Sequence, residues 1–334
     1  MKNHGFTYSV VIRTIGTGGN SYEQLLNSIQ QQTIQPEEII VVIPKGYKLQ
    51  HTLGYEKIIY SEKGMCIQRA VGINATTSDY ILVVDDDLKF ESDLIERLYS
   101  YLLQNQLDCV LPMEGISDGQ PTLDFRKSRL VKIRGAITGQ YFESNKKSEY
   151  LDVLTTTAGH KVYLKSCEVD KLYYCQTACF QCFFIKTSVA QSAKFEQEIW
   201  LQEGTINQYT AYDEPVFFYK LFSRGLKMAY ALQVRYQHLD ARCGHIAKHQ
   251  LEEKINRYYS MARNRTIYWY KFLWKDSKTT KRKVQVLLGG MYFLINYTFY
   301  NIVINIKPKS WPALRAMFIG YKDAYTTIKK IDCI

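Results

Sequence analysis

The stretch Tyr80-Ile81-Leu82-Val83-Val84-Asp85-Asp86-Asp87 decides the fold. An uncharged run of this length reads as a strand buried on both faces, as in the middle of a parallel sheet covered by helices. Three carboxylates follow at the strand's C-terminal end, the edge where open α/β sheets bind their ligands. Anions packed this closely repel one another unless a cation or a ligand relieves them. Hard oxygen donors suit Mg2+ or Mn2+, which in turn bridge diphosphate oxygens. A solvated acidic turn before the helix at Ser92 is the plainer alternative, and the unbroken strand tips the reading toward metal and diphosphate.

Outward from this strand, short apolar runs alternate with amphipathic segments, the pattern of an α/β sheet. Tyr8–Ile12 reads as the first strand, Glu38–Ile43 as the second and Ile58–Tyr60 as a short third. Between the first two lies the turn Gly16-Thr17-Gly18-Gly19 and then Ser21-Tyr22-Glu23-Gln24, a capping-box pattern. Tyr22, Leu25, Leu26 and Ile29 follow at helical spacing. The Gly-rich turn lacks the Lys-Ser/Thr pair of a P-loop and the full dinucleotide fingerprint. Helices are expected over Gly64–Thr76 and from Leu94 to Leu102, and a strand at Cys109-Val110-Leu111. Residues 115–175 read as loops and short strands. Beyond them come a strand at Phe180–Ile185, a helix at Pro215–Arg224 stopped by Gly225, and helical or apolar segments over 252–275, 284–306 and Trp311–Lys330.

The 334 residues carry a net charge of +11, but unevenly. Residues 1–245 hold 26 Lys+Arg against 27 Asp+Glu, a balance of −1, while residues 246–334 hold 17 against 5, a balance of +12. A neutral domain followed by a basic, aromatic-rich region attracts polyanions, either nucleic acid or an anionic membrane. Met1-Lys2-Asn3-His4 leads straight into the first strand without a secretory h-region, so eight cysteines in so long a chain read as reduced thiols of a cytoplasmic protein.

In order and spacing these segments resemble the family 2 glycosyltransferases of the GT-A fold. The resemblance rests on Val10-Val11-Ile12-Arg13-Thr14, the helix Leu25–Gln32 followed by Pro36-Glu37-Glu38-Ile39-Ile40-Val41-Val42, Lys63-Gly64 with Arg69-Ala70-x-Gly72-Ile73, and Asp79-Tyr80 leading into the acidic triplet. A second match lies at Asp213-Glu214-Pro215-Val216 with Gly225 beyond it, so the likeness covers most of residues 8–245. It implies a GT-A domain over 1–245, a Rossmann-like mixed, mostly parallel sheet flanked by helices, followed by a basic, apolar helical extension over 246–334. It further implies an enzyme that takes a sugar from a nucleotide-diphosphate donor with inversion, a carboxylate drawing the proton from the acceptor hydroxyl. Carried over by position, Asp87 would be the principal Mn2+ or Mg2+ ligand, and Asp85 and Asp86 would touch the ribose or the metal. Arg13, Thr14 and Arg69 would lie along the nucleotide, Glu214 would be the base and Asp213 its neighbour. His238, near the strand around Val234, would complete the metal shell.

Two departures stand out. Ile43-Pro44-Lys45 occupies the place where the family commonly has an Asp for the nucleobase, and Asp213-Glu214 reverses the common order. Pro215 also gives Glu214 a purely structural reading as a helix N-cap. Cys175-x3-Cys179-x2-Cys182 has iron–sulfur spacing but runs into an apolar strand, and reads as small core residues. Zinc held by these cysteines with Cys167 or Cys243 is no better supported.

A sugar nucleotidylyltransferase is the enzymatic alternative, and the Gly-rich turn lacks the basic residue it would need. A nucleic-acid binder would use Arg263-Asn264-Arg265 amid tyrosines and Trp269, but no recognisable module accompanies them. A non-catalytic carbohydrate-binding relative would have no use for the intact triplet. The expected partners are therefore a nucleotide-sugar donor and a saccharide or lipid-linked acceptor of surface polysaccharide synthesis, with an anionic membrane at the cytoplasmic face. Residues 284–306 reach spanning length, yet Gln285, Asn296, Asn301 and Asn305 interrupt them and basic residues flank them, which favours an interfacial helix.

Overall fold

The computed structural model describes residues 5–115, 122–124, 141–142, 150–154, 159, 161–164, 166–205, 210–239, 247–305 and 307–332. The opening four residues, Cys243 and the expected boundary at 245 lie outside these.

The strands in chain order are β1 (Tyr8–Arg13), β2 (Glu38–Pro44), β3 (Lys57–Ser61), β4 (Tyr80–Asp85), β5 (Leu88–Phe90), β6 (Cys109–Glu114), β7 (Thr122–Asp124), β8 (Tyr141–Phe142), β9 (Tyr150–Leu154), β10 (Lys161–Leu164), β11 (Ser166–Glu168), β12 (Leu172–Cys175), β13 (Cys182–Lys186) and β14 (Met228–His238). The main sheet runs β3-β2-β1-β4-β13-β6-β14-β12-β9-β10-β8, with β5 added beside β14. Its first four strands are parallel, and β13 enters antiparallel between β4 and β6. This is the expected mixed, mostly parallel α/β sheet. The expected short strands of residues 115–175 include β7 to β12.

Alternation along the strands explains the layering. Tyr8, Val10, Ile12, Leu82 and Val84 point to one face and join the core under helices Gly19–Gln30 and Leu94–Gln104. Val11, Ile40, Val42, Ile81 and Val83 point to the other, under helices Met65–Asn74 and Asp213–Phe222. Each such side chain taken from water contributes about 1.5–3 kcal/mol. Gly72 lets the Met65–Asn74 helix approach the sheet closely, because a Cβ there would lie 2.4 Å from a Val11 methyl.

Two local expectations are corrected. The first helix starts at Gly19 with Gly18 as N-cap, so Ser21 lies inside the first turn and does not cap it. Glu214 is not a cap either: the helix begins at Asp213, and Tyr212, with φ of 73°, takes the cap position.

At the C-terminal end, helix Ala247–Tyr268 continues through a π-helical turn, Trp269–Trp274. Helices Thr280–Ile304 and Trp311–Asp332 follow, the latter packed on Ala247–Tyr268 through Tyr258, Ala262, Ala313 and Met317.

Candidate active site

Register builds the site. β1 and β4 pair in parallel so that Arg13 stands opposite Asp85, and the Arg13 guanidinium donates to Asp85 Oδ1 at 2.9 Å. Arg69, on the helix that covers these strands, reaches the same oxygen at 3.1 Å and Asp213 Oδ2 at 2.6 Å. Its guanidinium lies 4.3 Å from the Phe180 ring centroid. Phe180 is itself locked among Phe183, Phe195, Phe217 and Phe218. The arginine that joins the two acidic motifs is thus positioned by an aromatic cluster on the far side of the sheet's edge.

Burial by itself would raise the Asp85 carboxyl, but Arg13 and Arg69 outweigh it and hold Asp85 below the usual carboxylate range. Burial likewise opposes the Arg13 cation, and the charges of Asp85 and Asp86 more than restore it. Asp86 goes the other way: burial pushes it up against the pull of Arg13 and of Thr14, whose hydroxyl donates to Oδ2 at 2.5 Å. Gly18 packs over this residue, since a Cβ there would lie 3.4 Å from the Asp86 carbonyl oxygen.

Asp87 and His238 meet because β14 runs long. It crosses from β6 to β5, shifting register between Ala231 and Arg235, and ends with His238 opposite Leu88. Leu239 N–H donates to the Asp87 carbonyl at 2.8 Å, and His238 Nε2 lies 3.1 Å from Asp87 Oδ2. Glu114 Oε1 is 3.9 Å from the other ring nitrogen. Both Asp87 and His238 side chains remain partly exposed. An oxygen and an imidazole nitrogen opening together to solvent form a donor pair that fits Mn2+ or Mg2+. Among the described residues no three His, Cys, Asp or Glu side chains converge as a metal cluster.

At the other acidic motif, the backbone N–H of Phe180 donates to Glu214 Oε1 at 3.2 Å. Asp213 is buried and its carboxyl is pushed up to about 6, because burial and the Glu214 charge together exceed the pull of Arg69. The turn that leads into this pair is clamped. Ala211 N–H donates to Ser260 Oγ at 2.8 Å, and Asn264 Nδ2 donates to the carbonyls of Ala211 at 2.8 Å and Leu201 at 2.6 Å.

The structure therefore brings Arg13, Thr14, Arg69, Asp85, Asp86, Asp87, Asp213, Glu214 and His238 to one sheet edge. Thr14 and Arg69 are buried there, Thr14 donating to Asp86 and Arg69 to Asp85 and Asp213. Asp85, expected beside the metal, has an oxygen committed to two arginines. Sequence reading missed Phe180, Ser260 and Asn264. The apolar Phe180–Ile185 run and Arg263-Asn264-Arg265 were visible, but nothing in them told which distant residue they serve. Cys175 and Cys182 are buried in different core clusters, and Cys179 is partly exposed.

A mixed sheet with an acidic edge and helices on both faces is the GT-A glycosyltransferase fold. The solved structure of S. aureus TarS residues 1–349 shares it, with 12% identity, a TM-score of 0.52, and coverage of 95% of this chain and 80% of that one. Two more distant likenesses have TM-scores of 0.47 and 12% identity. The mannosyltransferase PcManGT from Pyrobaculum calidifontis, in complex with GDP-Man and Mn2+, covers 98% of this chain and 80% of its own. GalNAc-T7 with UDP, GalNAc and Mn2+ covers 87% and 55%. No curated protein matches the chain. Residues 48–168, which include the acidic triplet, match the model of glycosyl transferase family 2. The chain is a glycosyltransferase whose residues 48–168 are similar to family 2.

Proposed function

We propose that this glycosyltransferase moves a sugar, with inversion, from a nucleotide-diphosphate donor to a hydroxyl of a saccharide or lipid-linked acceptor, in surface polysaccharide synthesis. The observation that carries the reading is the Arg69 bridge, which joins the acidic triplet to the Asp213-Glu214 turn across one sheet edge. Glu214 takes the acceptor proton: the Phe180 amide holds one carboxylate oxygen and the other meets the hydroxyl. Asp213 and Arg69 hold the turn, and Arg13, Asp85 and Asp86 shape the nucleotide seat. Asp87 and His238 would hold Mn2+ or Mg2+, which when bound supplies positive charge for the departing diphosphate. The basic C-terminal region keeps the enzyme on the anionic inner face of the cell membrane.

The test is hydrolysis and transfer from a panel of nucleotide-sugars by the purified protein with Mn2+ or Mg2+. Turnover of one donor class that stops on chelation supports the reading. Inertness toward every donor with either metal, or a product that keeps the donor's anomeric configuration, overturns it.

A further inference from the structure

Helix Thr280–Ile304 is long and apolar enough to cross a membrane, yet it is tied to the protein along its length. Trp269 Nε1 donates to the Val286 carbonyl at 3.1 Å, and a Cβ on Gly290 would lie 2.5 Å from the same nitrogen. Further along, Phe293 lies beneath the Arg265 guanidinium and Thr298 meets the Tyr321 hydroxyl at 3.2 Å. Just past the helix, Asn305 donates to Tyr258 at 2.8 Å and accepts from Lys254 at 2.6 Å. A segment whose seam is fastened to a polar, charged body cannot surround itself with lipid without dragging that body into the bilayer.

The opposite side of the helix is bare. Val284, Leu288, Met291, Ile295, Phe299 and Ile302 recur at helical spacing on one stripe and are 41–67% exposed. No charged residue interrupts positions 284–305, whereas Lys281, Arg282 and Lys283 precede them and Lys307 and Lys309 follow. The next helix, Trp311–Asp332, presents a different stripe at the same spacing, in which Trp311, Phe318 and Tyr325 alternate with Arg315, Lys322 and Lys329, all exposed. Aromatic rings interleaved with cations are the composition of the lipid headgroup level, and an uncharged stripe is that of the acyl region beneath it.

We propose that the chain is monotopic. The stripe from Val284 to Ile302 enters a single leaflet of an anionic bilayer with its helix in the membrane plane, and the Trp311–Lys329 stripe lies among the headgroups. The occupant is lipid and not a second copy of the chain: the balance of +12 after residue 245 would repel a twin surface and complements an anionic one. This deepens the membrane reading above and rests on it.

Flotation of the full-length protein with phosphatidylcholine vesicles, with and without phosphatidylglycerol, tests the surface. Wild type should float with the anionic vesicles. Ile295→Glu combined with Phe299→Glu should lower partitioning more than tenfold, and Arg315→Glu with Lys322→Glu should abolish the preference for anionic lipid. Spin labels at Leu288→Cys, Ile295→Cys and Ile302→Cys, read against the wild-type labelling background, should report one common depth. Depths that progress from 288 to 302 would show a span and overturn the proposal. So would failure to bind vesicles together with a dimer that the Ile295→Glu, Phe299→Glu variant dissolves. Donor hydrolysis without vesicles is unchanged in these variants, so loss of the surface and loss of the transferase reading are separately visible.

Discussion

Arg69 Nη1 lies 2.6 Å from Asp213 Oδ2 while its Nη2 lies 3.1 Å from Asp85 Oδ1, so one buried guanidinium joins carboxylates 128 positions apart in the chain. Removing it leaves two buried acids without their shared cation, and breaking such an arrangement costs about 3–5 kcal/mol. Arg69→Leu should lose stability on that order in urea unfolding at pH 7.5. Arg69→Lys keeps a charge but not the fork that reaches both acids, and should fall between. A fully stable Arg69→Leu protein would show that the bridge holds nothing together.

Asp213 makes stability depend on pH in an unusual direction. Burial pushes its folded carboxyl up to about 6, above the 3.8 of an exposed aspartate, so the folded state binds the proton more tightly than the unfolded one. This contribution is fully present below pH 3.8 and is lost as pH rises through about 6. Asp213→Asn does not titrate. Its stability relative to wild type should therefore improve by on the order of 1–3 kcal/mol between pH 4.5 and pH 7.5. A difference that stays flat with pH, measured by urea unfolding at both, would refute the raised carboxyl.

Glu214→Gln preserves shape and the bond from the Phe180 amide but cannot take a proton. Turnover should drop by about 10²–10⁴-fold with donor binding nearly unchanged. Should Asp213→Asn be crippled and Glu214→Gln remain active, the base is the neighbour.

Asp87 and His238 are predicted to act together on the metal. Mn2+ titration in the presence of UDP or GDP, followed by the electron-spin signal of the free ion, should show either Asp87→Ala or His238→Ala weakening Mn2+ by more than about tenfold. Asp85→Asn should affect folding more than metal affinity, because an Asp85 oxygen belongs to the arginines. Equal Mn2+ affinity in wild type and both alanine variants would remove the ion from this pair.

Asn264 is expected to position the base turn at a distance. Its side-chain amide holds the Ala211 and Leu201 carbonyls, and removing a partner from buried polar groups costs about 1–3 kcal/mol. Asn264→Ala should lower kcat while leaving donor affinity in place, and Asn264→Asp, which lacks the donor, should not rescue it. An unaltered kcat in a folded Asn264→Ala protein would separate the helix from the reaction.

Much of this protein is written locally. The uncharged run of β4 placed a buried parallel strand with carboxylates at its C-terminal end, and Asp213-Glu214-Pro215 announced a helix start with acidic residues in its first turn. Such features depend on neighbours in the chain, and periodicity reports them. What each polar side chain would face depended on elements far apart in sequence. The insertion of β13 put Phe180 against Arg69, the length of β14 carried His238 to Asp87, and Arg69 drew Asp85 into a buried bridge. The sequence likewise showed an apolar segment with basic flanks, but which side of helix Thr280–Ile304 is fastened was decided by Trp269, Arg265 and Tyr258. Register and packing settle these pairings, because a shift of one residue in a strand, or a rotation of a helix, exchanges the face that is bound for the face that is free.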